Sequence, residues 1–343
     1  MGGNALSVPT TRLGKRQYED VCADVVGKLN SVLPGRRISV IEAYAEKPDF
    51  GDLDVLIEGG AGYDPLEVAK ALEAVEVVRN GDVTSIGVNL GGEVFQVDLI
   101  KIAPDSFEFA KHYFAFNDLG NLLGRVAHKA GFKLGHLGLI YVMRQDGKSS
   151  QVIDELVVTH DWHAALSFLG FDANRYAQGF ESLVEIFEFA VSSRYCNKDI
   201  YLLENRNAVS RIRDRKRKTY TSFLLWLDSD ASTAVHRFDW DDKAVVRTDF
   251  LNRAFLKFPV FKSHYDAAFL RWERDQQIRL KFNGEMVSKI TGLVGRELGI
   301  FIKDFKGEFR DDDVFKEWVV VADQKEIEHR VRVAGRVLKQ VSA

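Results

Sequence analysis

Over the first hundred positions, stretches where apolar residues alternate with polar ones or run unbroken between turns are interleaved with helical stripes. Through most of the rest apolar residues recur at helical spacing. In 15–33, Tyr18, Val21, Cys22, Val25, Val26, Leu29 and Val32 share one helical stripe, closed by Pro34-Gly35. A strand over 38–45 and a polar turn at Lys47-Pro48-Asp49 lead into a second strand, Phe50-Gly51-Asp52-Leu53-Asp54-Val55-Leu56-Ile57. A Gly59-Gly60-Ala61-Gly62 loop and a helix over 65–75 follow. Apolar runs over 83–90 and 93–102 then flank Gly91-Gly92, a hairpin signal. The order strand, helix, hairpin predicts a small mixed sheet with helices on one side.

After Pro104 the period lengthens. Helices are expected over 107–114 and 119–130, and a strand or strand pair over 134–143. Beyond Asp146-Gly147-Lys148 the chain reads as mainly helical, with an amphipathic stretch over 181–192 and a polar break at 228–233. Further helices are expected over 257–280, 285–305 and 325–341. The expected class is α+β. Its parts are a flexible leader (1–14), a mixed-sheet domain (15–104), a short following region (105–146) and a mainly helical C-terminal domain (147–343).

Composition changes this picture little. A chain of 343 residues, 46% hydrophobic and 28% charged, has the balance of an ordinary globular protein. It carries no stretch of transmembrane length and no signal-peptide core, so no membrane partner is expected. Cys22 and Cys196 stand far apart, outside any zinc or disulfide pattern, and a reducing cytoplasmic setting is the expectation. The net charge of −3 conceals an uneven spread of basic residues.

The candidate chemistry lies where acids interrupt apolar strands. Asp52 and Asp54 are two apart and so share a strand face; Asp98 sits in Phe95-Gln96-Val97-Asp98-Leu99-Ile100. If the two strands pair with Asp98 on that face, three carboxylates converge, and such a cluster calls for cations. The hard-oxygen preference of Mg²⁺ (or Mn²⁺) fits it, with two-metal phosphoryl or nucleotidyl transfer as the chemistry. Asp-x-Asp alone is common, and strand caps or solvated turns are the alternative. The third acid on an apolar strand favours the metal site.

These residues carry a resemblance. Gly51-Asp52-Leu53-Asp54-Val55-Leu56-Ile57 resembles the paired-aspartate strand of the DNA polymerase beta-like nucleotidyltransferase superfamily. The run from Val97-Asp98-Leu99-Ile100 to Ser106-Phe107 resembles the third-aspartate strand of family X DNA polymerases and its exit into the thumb. Tyr113-Phe114, Asn121 and the run Gly131 to Leu139 continue the likeness, which spans about 40–140, under a third of the chain. The resemblance implies a palm over 15–104 and a thumb-like region over 105–146. It implies that Tyr113 and Phe114 face the sugar of a nucleoside triphosphate, with Asn121 and Arg125 on the same nucleotide. Asp52 and Asp54 would bridge two metal ions. Asp98 would ligate one of them and help deprotonate the attacking hydroxyl. The chain departs from the family at Ile41-Glu42-Ala43-Tyr44-Ala45-Glu46-Lys47, where a Gly-Ser pair and a nearby arginine are usual. It departs again at Ala115-Phe116-Asn117, which replaces a Thr-Gly-Ser turn.

Other signals are weaker. Arg206, Arg211, Arg213, Arg215, Lys216, Arg217 and Lys218, followed by Tyr220, could track a nucleic-acid backbone or bind a triphosphate; a solvated helix face is the alternative. Lys129 and Lys133, with Arg125, form a second candidate phosphate face. His160 and His163 read as part of a helix start capped by Asp161 or Thr159 rather than as metal ligands. Gly147-Lys148-Ser149 reads as a turn. Phe282-Asn283-Gly284-Glu285 through Gly299 faintly resembles the helical tail of tRNA nucleotidyltransferases. The expected function is metal-dependent transfer of NMP or dNMP from a nucleoside triphosphate to a hydroxyl, foremost a DNA or RNA 3′ end. Transfer to a small molecule or protein, and a non-catalytic nucleic-acid-binding role on a decayed palm, are the alternatives.

Overall fold

Alternation in the acidic strand is realised in a five-stranded sheet. The elements that build it are, in chain order, β1 (Leu13–Gly14), α1 (Lys15–Val32), β2 (Ile38–Val40), β3 (Asp49–Phe50), β4 (Asp52–Glu58), α2 (Pro65–Ala71), β5 (Ala74–Asn80), β6 (Val83–Asn89) and β7 (Val94–Ile102). The spatial order is β2-β4-β7-β6-β5. Neighbours are antiparallel except β4 and β7, which run parallel; β1 and β3 pair separately. This computed structural model describes residues 4–59, 64–145, 151–229 and 235–341. The expectations for Gly60-Ala61-Gly62, for Gly147-Lys148-Ser149 and for 230–233 fall outside the described residues.

One sheet face packs on α1 and α2. Val25, Leu29 and Leu33 meet Leu53, Val55 and Ile57 of β4 and Phe95, Val97 and Leu99 of β7, all buried. Strand alternation then fixes Asp52, Asp54, Gln96 and Asp98 on the opposite face. Farther along that face, Leu56 and Ile102 pack on Phe107 and Ala110 of α3 (Phe107–Phe114).

After α3 the chain continues to Lys257 through a second sheet and further helices. First come α4 (Leu119–Lys129) and an antiparallel sheet of β8 (Phe132–Gly135), β9 (Gly138–Arg144) and β10 (Val152–Thr159). Short helices follow: α5 (Trp162–Phe168), α6 (Ala173–Ala177), α7 (Leu183–Val191), α8 (Ala208–Arg215), α9 (Lys218–Leu227) and α10 (Lys243–Lys257).

The mixed α+β class and the hairpin at Gly91-Gly92 are as expected, and the structure corrects several boundaries. Residues 4–14 are tied to the sheet rather than free of it: Ala5 N donates to Gln96 Oε1 at 2.9 Å and Thr11 N to Val94 O at 2.8 Å. The strand expected over 38–45 ends at Val40. There the chain turns to other partners, with Ala45 N on Phe180 O at 2.9 Å and Glu46 N on Glu181 O at 2.8 Å. The helix expected over 65–75 stops at Ala71. Glu73, at φ 51, reverses the chain, and the β-branched run after it enters the sheet as β5. The region after 147 opens with β10, a strand, and its pairing with β9 crosses the boundary expected at 146.

The chain divides into two compact units, 1–262 and 263–343, within α11 (Pro259–Lys281). In the second unit, α12 (Gly284–Thr291), α13 (Gly295–Gly307), α14 (Asp312–Val321) and α15 (Gln324–Val341) enclose a core that includes Phe282, Phe301, Phe305, Phe315, Val319 and Val331. Gly292, left-handed at φ 77, ends α12 and splits the single helix expected over 285–305. No helix among the described residues is long and apolar enough to cross a membrane.

Candidate active site

The parallel β4–β7 register sets Asp52 opposite Gln96 and Asp54 opposite Asp98. Each of Asp52, Asp54 and Asp98 offers a carboxylate oxygen within 4.8 Å of the others, the only such His/Cys/Asp/Glu group among the described residues. Gln96, buried beside them, donates its amide to both oxygens of Asp98 at 2.9 Å. Ser85, opposite Asp98 on β6, bonds it from the other side. Burial, then the neighbouring charges of Asp52 and Asp98, pushes the Asp54 carboxyl up to about 7. Burial also raises Asp98, against the pull of Ser85 and Gln96. Oxygen donors gathered at this spacing, their repulsion only partly offset by Lys47, fit hard divalent cations.

Asp52 and Asp54 open onto a cavity of about 610 Å³. Its walls come from distant parts of the sequence. Thr10 and Arg12 precede β1, and Tyr18 comes from α1. Glu42 and Lys47 lie on the loop after β2. Phe114, Asn117 and Asp118 surround the turn after α3, and Lys218 and Thr219 begin α9. The Lys47 ammonium sits 4.6 Å from the centre of the Phe50 ring. Burial lowers its pKa, while Asp52 and Asp54 oppose that effect. Arg12 donates through Nε to Asp49 Oδ1 at 2.8 Å.

The turn carrying Asn117 and Asp118 has two consecutive non-glycine residues at positive φ, Phe116 at 57° and Asn117 at 60°. Asparagine tolerates this region; phenylalanine rarely adopts it. Phe116 is held there by its amide on Glu42 O at 2.8 Å and by its ring packing on Phe180, 4.9 Å between centroids. Backbone strain therefore sits at the cavity edge.

The other expected site residues separate into two groups. Phe114 and Lys218 line the cavity. Tyr113 does not line it: its ring packs on Phe114 and His136 and lies against Gly120. Asn121 accepts from Arg213 Nη2 at 3.3 Å, and its Nδ2 is buried without a hydrogen-bond partner among the described residues. Arg125 is enclosed, with Arg206 and Arg213 nearby, and burial together with Arg206 lowers its pKa to about 10. Lys133 is paired with Glu155 across the second sheet at 3.1 Å, and the backbone carbonyl of Lys129 accepts from Arg247 Nε at 3.3 Å.

The basic run does not act as one face. Arg206 and Asp214, both buried, form an ion pair at 2.6 Å. Arg213 also pairs with Asp214, Arg217 with Asp118, and Arg211 donates to Arg206 O. Tyr220, expected to be free for stacking, is buried. Its hydroxyl donates to Tyr201 O at 2.6 Å and accepts from Arg206 at 3.0 Å. Arg215 and Lys216 are exposed, beside the cavity-lining Lys218. Asp161 caps α5 by accepting from Ala164 N at 2.9 Å, as the capping expectation required.

Sequence reasoning missed Arg12, Tyr18, Gln96 and Thr219. Tyr18 was visible only as part of a helical stripe and Gln96 only as a neighbour of Asp98. Arg12 and Thr219 belong to no pattern, and only the fold brings the four together. Lys47 was visible only as part of a polar turn.

No family model matches the chain, and no curated protein matches it. Among solved structures it is similar to Leishmania infantum polymerase beta in a ternary P/T complex. That match has 16% identity and a TM-score of 0.33, and covers 41% of this chain. It spans 63% of that protein, under two thirds of its length.

Proposed function

We propose that this chain is a metal-dependent nucleotidyltransferase that moves NMP or dNMP from a nucleoside triphosphate to a hydroxyl, of the DNA polymerase beta-like type. The observation that carries this reading is the convergence of Asp52, Asp54 and Asp98 within 4.8 Å, with Asp52 and Asp54 lining a cavity of about 610 Å³ that also bears Arg12, Lys47 and Lys218. A carboxylate cluster and cations lining one cavity suit a substrate that is itself an anion bound through metal ions.

Asp52, Asp54 and Asp98 would hold Mg²⁺ or Mn²⁺, two ions in this reading. Bound there, the metal supplies Lewis-acid polarisation of the phosphate and acidifies the attacking hydroxyl. The chain's own contribution is position and charge. Gln96 and Ser85 fix the Asp98 carboxylate, which accepts the proton of the acceptor hydroxyl. The hydroxyl oxygen attacks the α-phosphorus, the bond to the bridging oxygen breaks, and pyrophosphate leaves. Phe114 and Tyr18 offer ring surfaces in the cavity for the nucleoside. Lys218, with exposed Arg215 and Lys216 just before it, offers charge to a DNA or RNA acceptor.

A panel of labelled ribo- and deoxyribonucleoside triphosphates with single-stranded DNA, primer–template, RNA and tRNA tests this. Metal-dependent incorporation that vanishes in Asp98→Ala is the expected result. Incorporation unaffected by Asp98→Ala would overturn the mechanism. Failure with every nucleic acid, alongside metal-dependent triphosphate binding, would move the acceptor to a small molecule or protein.

A further inference from the structure

The segment before α1 has an unexpected construction. None of its described side chains from Asn4 to Arg12 is buried, so it gains little from the hydrophobic core. Yet four of its amides are pinned across the sheet. Ala5 N bonds Gln96 Oε1 at 2.9 Å, Ser7 N and Val8 N bond the Glu76 carboxylate at 3.0 and 3.1 Å, and Thr11 N bonds Val94 O. Holding this strap at so many points costs chain entropy, and with Leu6 and Val8 only half-buried, apolar burial offsets little of it. Beside those anchors, Asn4, Thr10 and Arg12 line the cavity.

The strap also reaches the acids. Gln96, held through its oxygen by Ala5 N, holds both oxygens of Asp98 through its nitrogen. Arg12 and Lys47 line the same cavity as Asp52 and Asp54. They lie close enough for the guanidinium to depress the ammonium's pKa. Two neighbouring cations that repel each other beside a metal-type carboxylate cluster form a site for a polyanion.

We propose that the segment 4–12 is the polyphosphate-binding wall of this cavity, with Arg12 and Lys47 taking the phosphates that depart as pyrophosphate. This rests on the nucleotidyl-transfer reading and adds which residues grip the leaving group. Arg12 suits the task because its planar fork matches a phosphate edge, and its present partner, Asp49, is exposed and readily exchanged.

The test is calorimetric titration of the full chain with inorganic tripolyphosphate in Mg²⁺, a probe with no nucleoside, beside each nucleoside triphosphate. Arg12→Ala is expected to weaken tripolyphosphate at least tenfold. Arg12→Lys should recover part of the loss, and Asp49→Asn, which frees the guanidinium without removing it, should bind as tightly as wild type or tighter. In turnover, Arg12→Ala should raise KM for the triphosphate more than it lowers kcat. Hydrogen exchange on the wild type supplies a readout that needs no variant: the amides of Ala5 and Thr11 should slow when tripolyphosphate and Mg²⁺ are added. Wild-type binding that is unchanged in Arg12→Ala, or exchange that does not slow, would overturn the inference and leave the nucleotidyl-transfer reading standing. Wild type that binds neither tripolyphosphate nor any nucleoside triphosphate in Mg²⁺ would overturn both.

Discussion

Asp54 and Asp98 stand opposite each other across the parallel β4–β7 pair, each flanked in its strand by buried apolar residues, Leu53 and Val55 about Asp54 and Val97 and Leu99 about Asp98. Two carboxylates at one register position are a standing cost to the metal-free fold. Burial, with Asp52 and then Asp98 adding to it, raises the Asp54 carboxyl from 3.8 to about 7.

Stability should therefore depend on pH in a defined direction. The folded state binds the Asp54 proton more tightly than the unfolded chain does. Below about pH 4 both states hold it and there is no penalty. As pH rises from about 4 through about 7 the unfolded chain ionises first, and folding stability falls. Asp54→Asn should therefore stabilise the metal-free protein at pH 8, by about 1–3 kcal/mol, and leave it nearly unchanged at pH 4. Urea unfolding in chelator at the two pH values measures it. An equal effect at both would disconnect the stability from this titration.

Metal binding should follow the same proton. Cations require the ionised carboxylate, so Mg²⁺ or Mn²⁺ must displace the Asp54 proton below about pH 7. Apparent affinity should rise by up to about tenfold per pH unit up to about pH 7 and level off above it. Titration calorimetry across pH 5.5–8.5 checks this, and two buffers of different ionisation heat should reveal proton release at the acid end. In Asp54→Ala the metal-dependent rise in melting temperature should disappear.

The acidic strands were legible because two independent regularities agreed there. Period-2 alternation put Asp52 and Asp54 on one face, and the apolar positions between them fixed which face is core. The rest was hidden for local reasons. Val152–Thr159 carries Asp154 and Glu155 inside it, and register shifts at Val152/Asp154 and Val157/Thr159 break its alternation, so no strand period shows. β5 follows helix-favouring residues, and only the left-handed Glu73 separates it from α2. The basic run misled because Asp214 lies inside it. That one acid, paired with Arg206 eight positions earlier, turns a solvent-facing reading inward. Arg12 reaches the cavity only through pairing of β1 with β3.

Within that basic run, the residues should divide sharply. Arg206→Ala leaves Asp214 buried without its closest cation and should cost about 3–5 kcal/mol. Asp214→Ala should cost a similar amount. Arg215→Ala and Lys216→Ala, exposed, should stay within about 0.5 kcal/mol of wild type in stability. If a nucleic acid is the acceptor, those two variants should weaken its binding and flatten the salt dependence, which electrophoretic mobility at several salt concentrations would reveal. Loss of nucleic-acid affinity in Arg206→Ala alone, with its fold intact, would contradict the division.

Gly120 gives the most local prediction. It is the second residue of α4, where Tyr113 near the end of α3 lies against it. A Cβ there would lie 2.3 Å from the Tyr113 carbonyl oxygen and 2.8 Å from its ring. The carbonyl belongs to a helix that carries Phe114 to the cavity and Phe107 into the core, so it cannot move alone. Relief must come from separating α3 from α4, which disturbs the strained turn at Phe116 and Asn117 between them. Gly120→Ala should thus lose about 1–3 kcal/mol of stability, despite alanine's better helix propensity, and lower kcat while Asp52, Asp54 and Asp98 are untouched. Urea unfolding reads the first effect. Metal titration of the same variant, expected to match wild type, shows that the damage stops short of the three acids. A variant as stable as wild type would mean that the two helices approach less closely than this geometry requires.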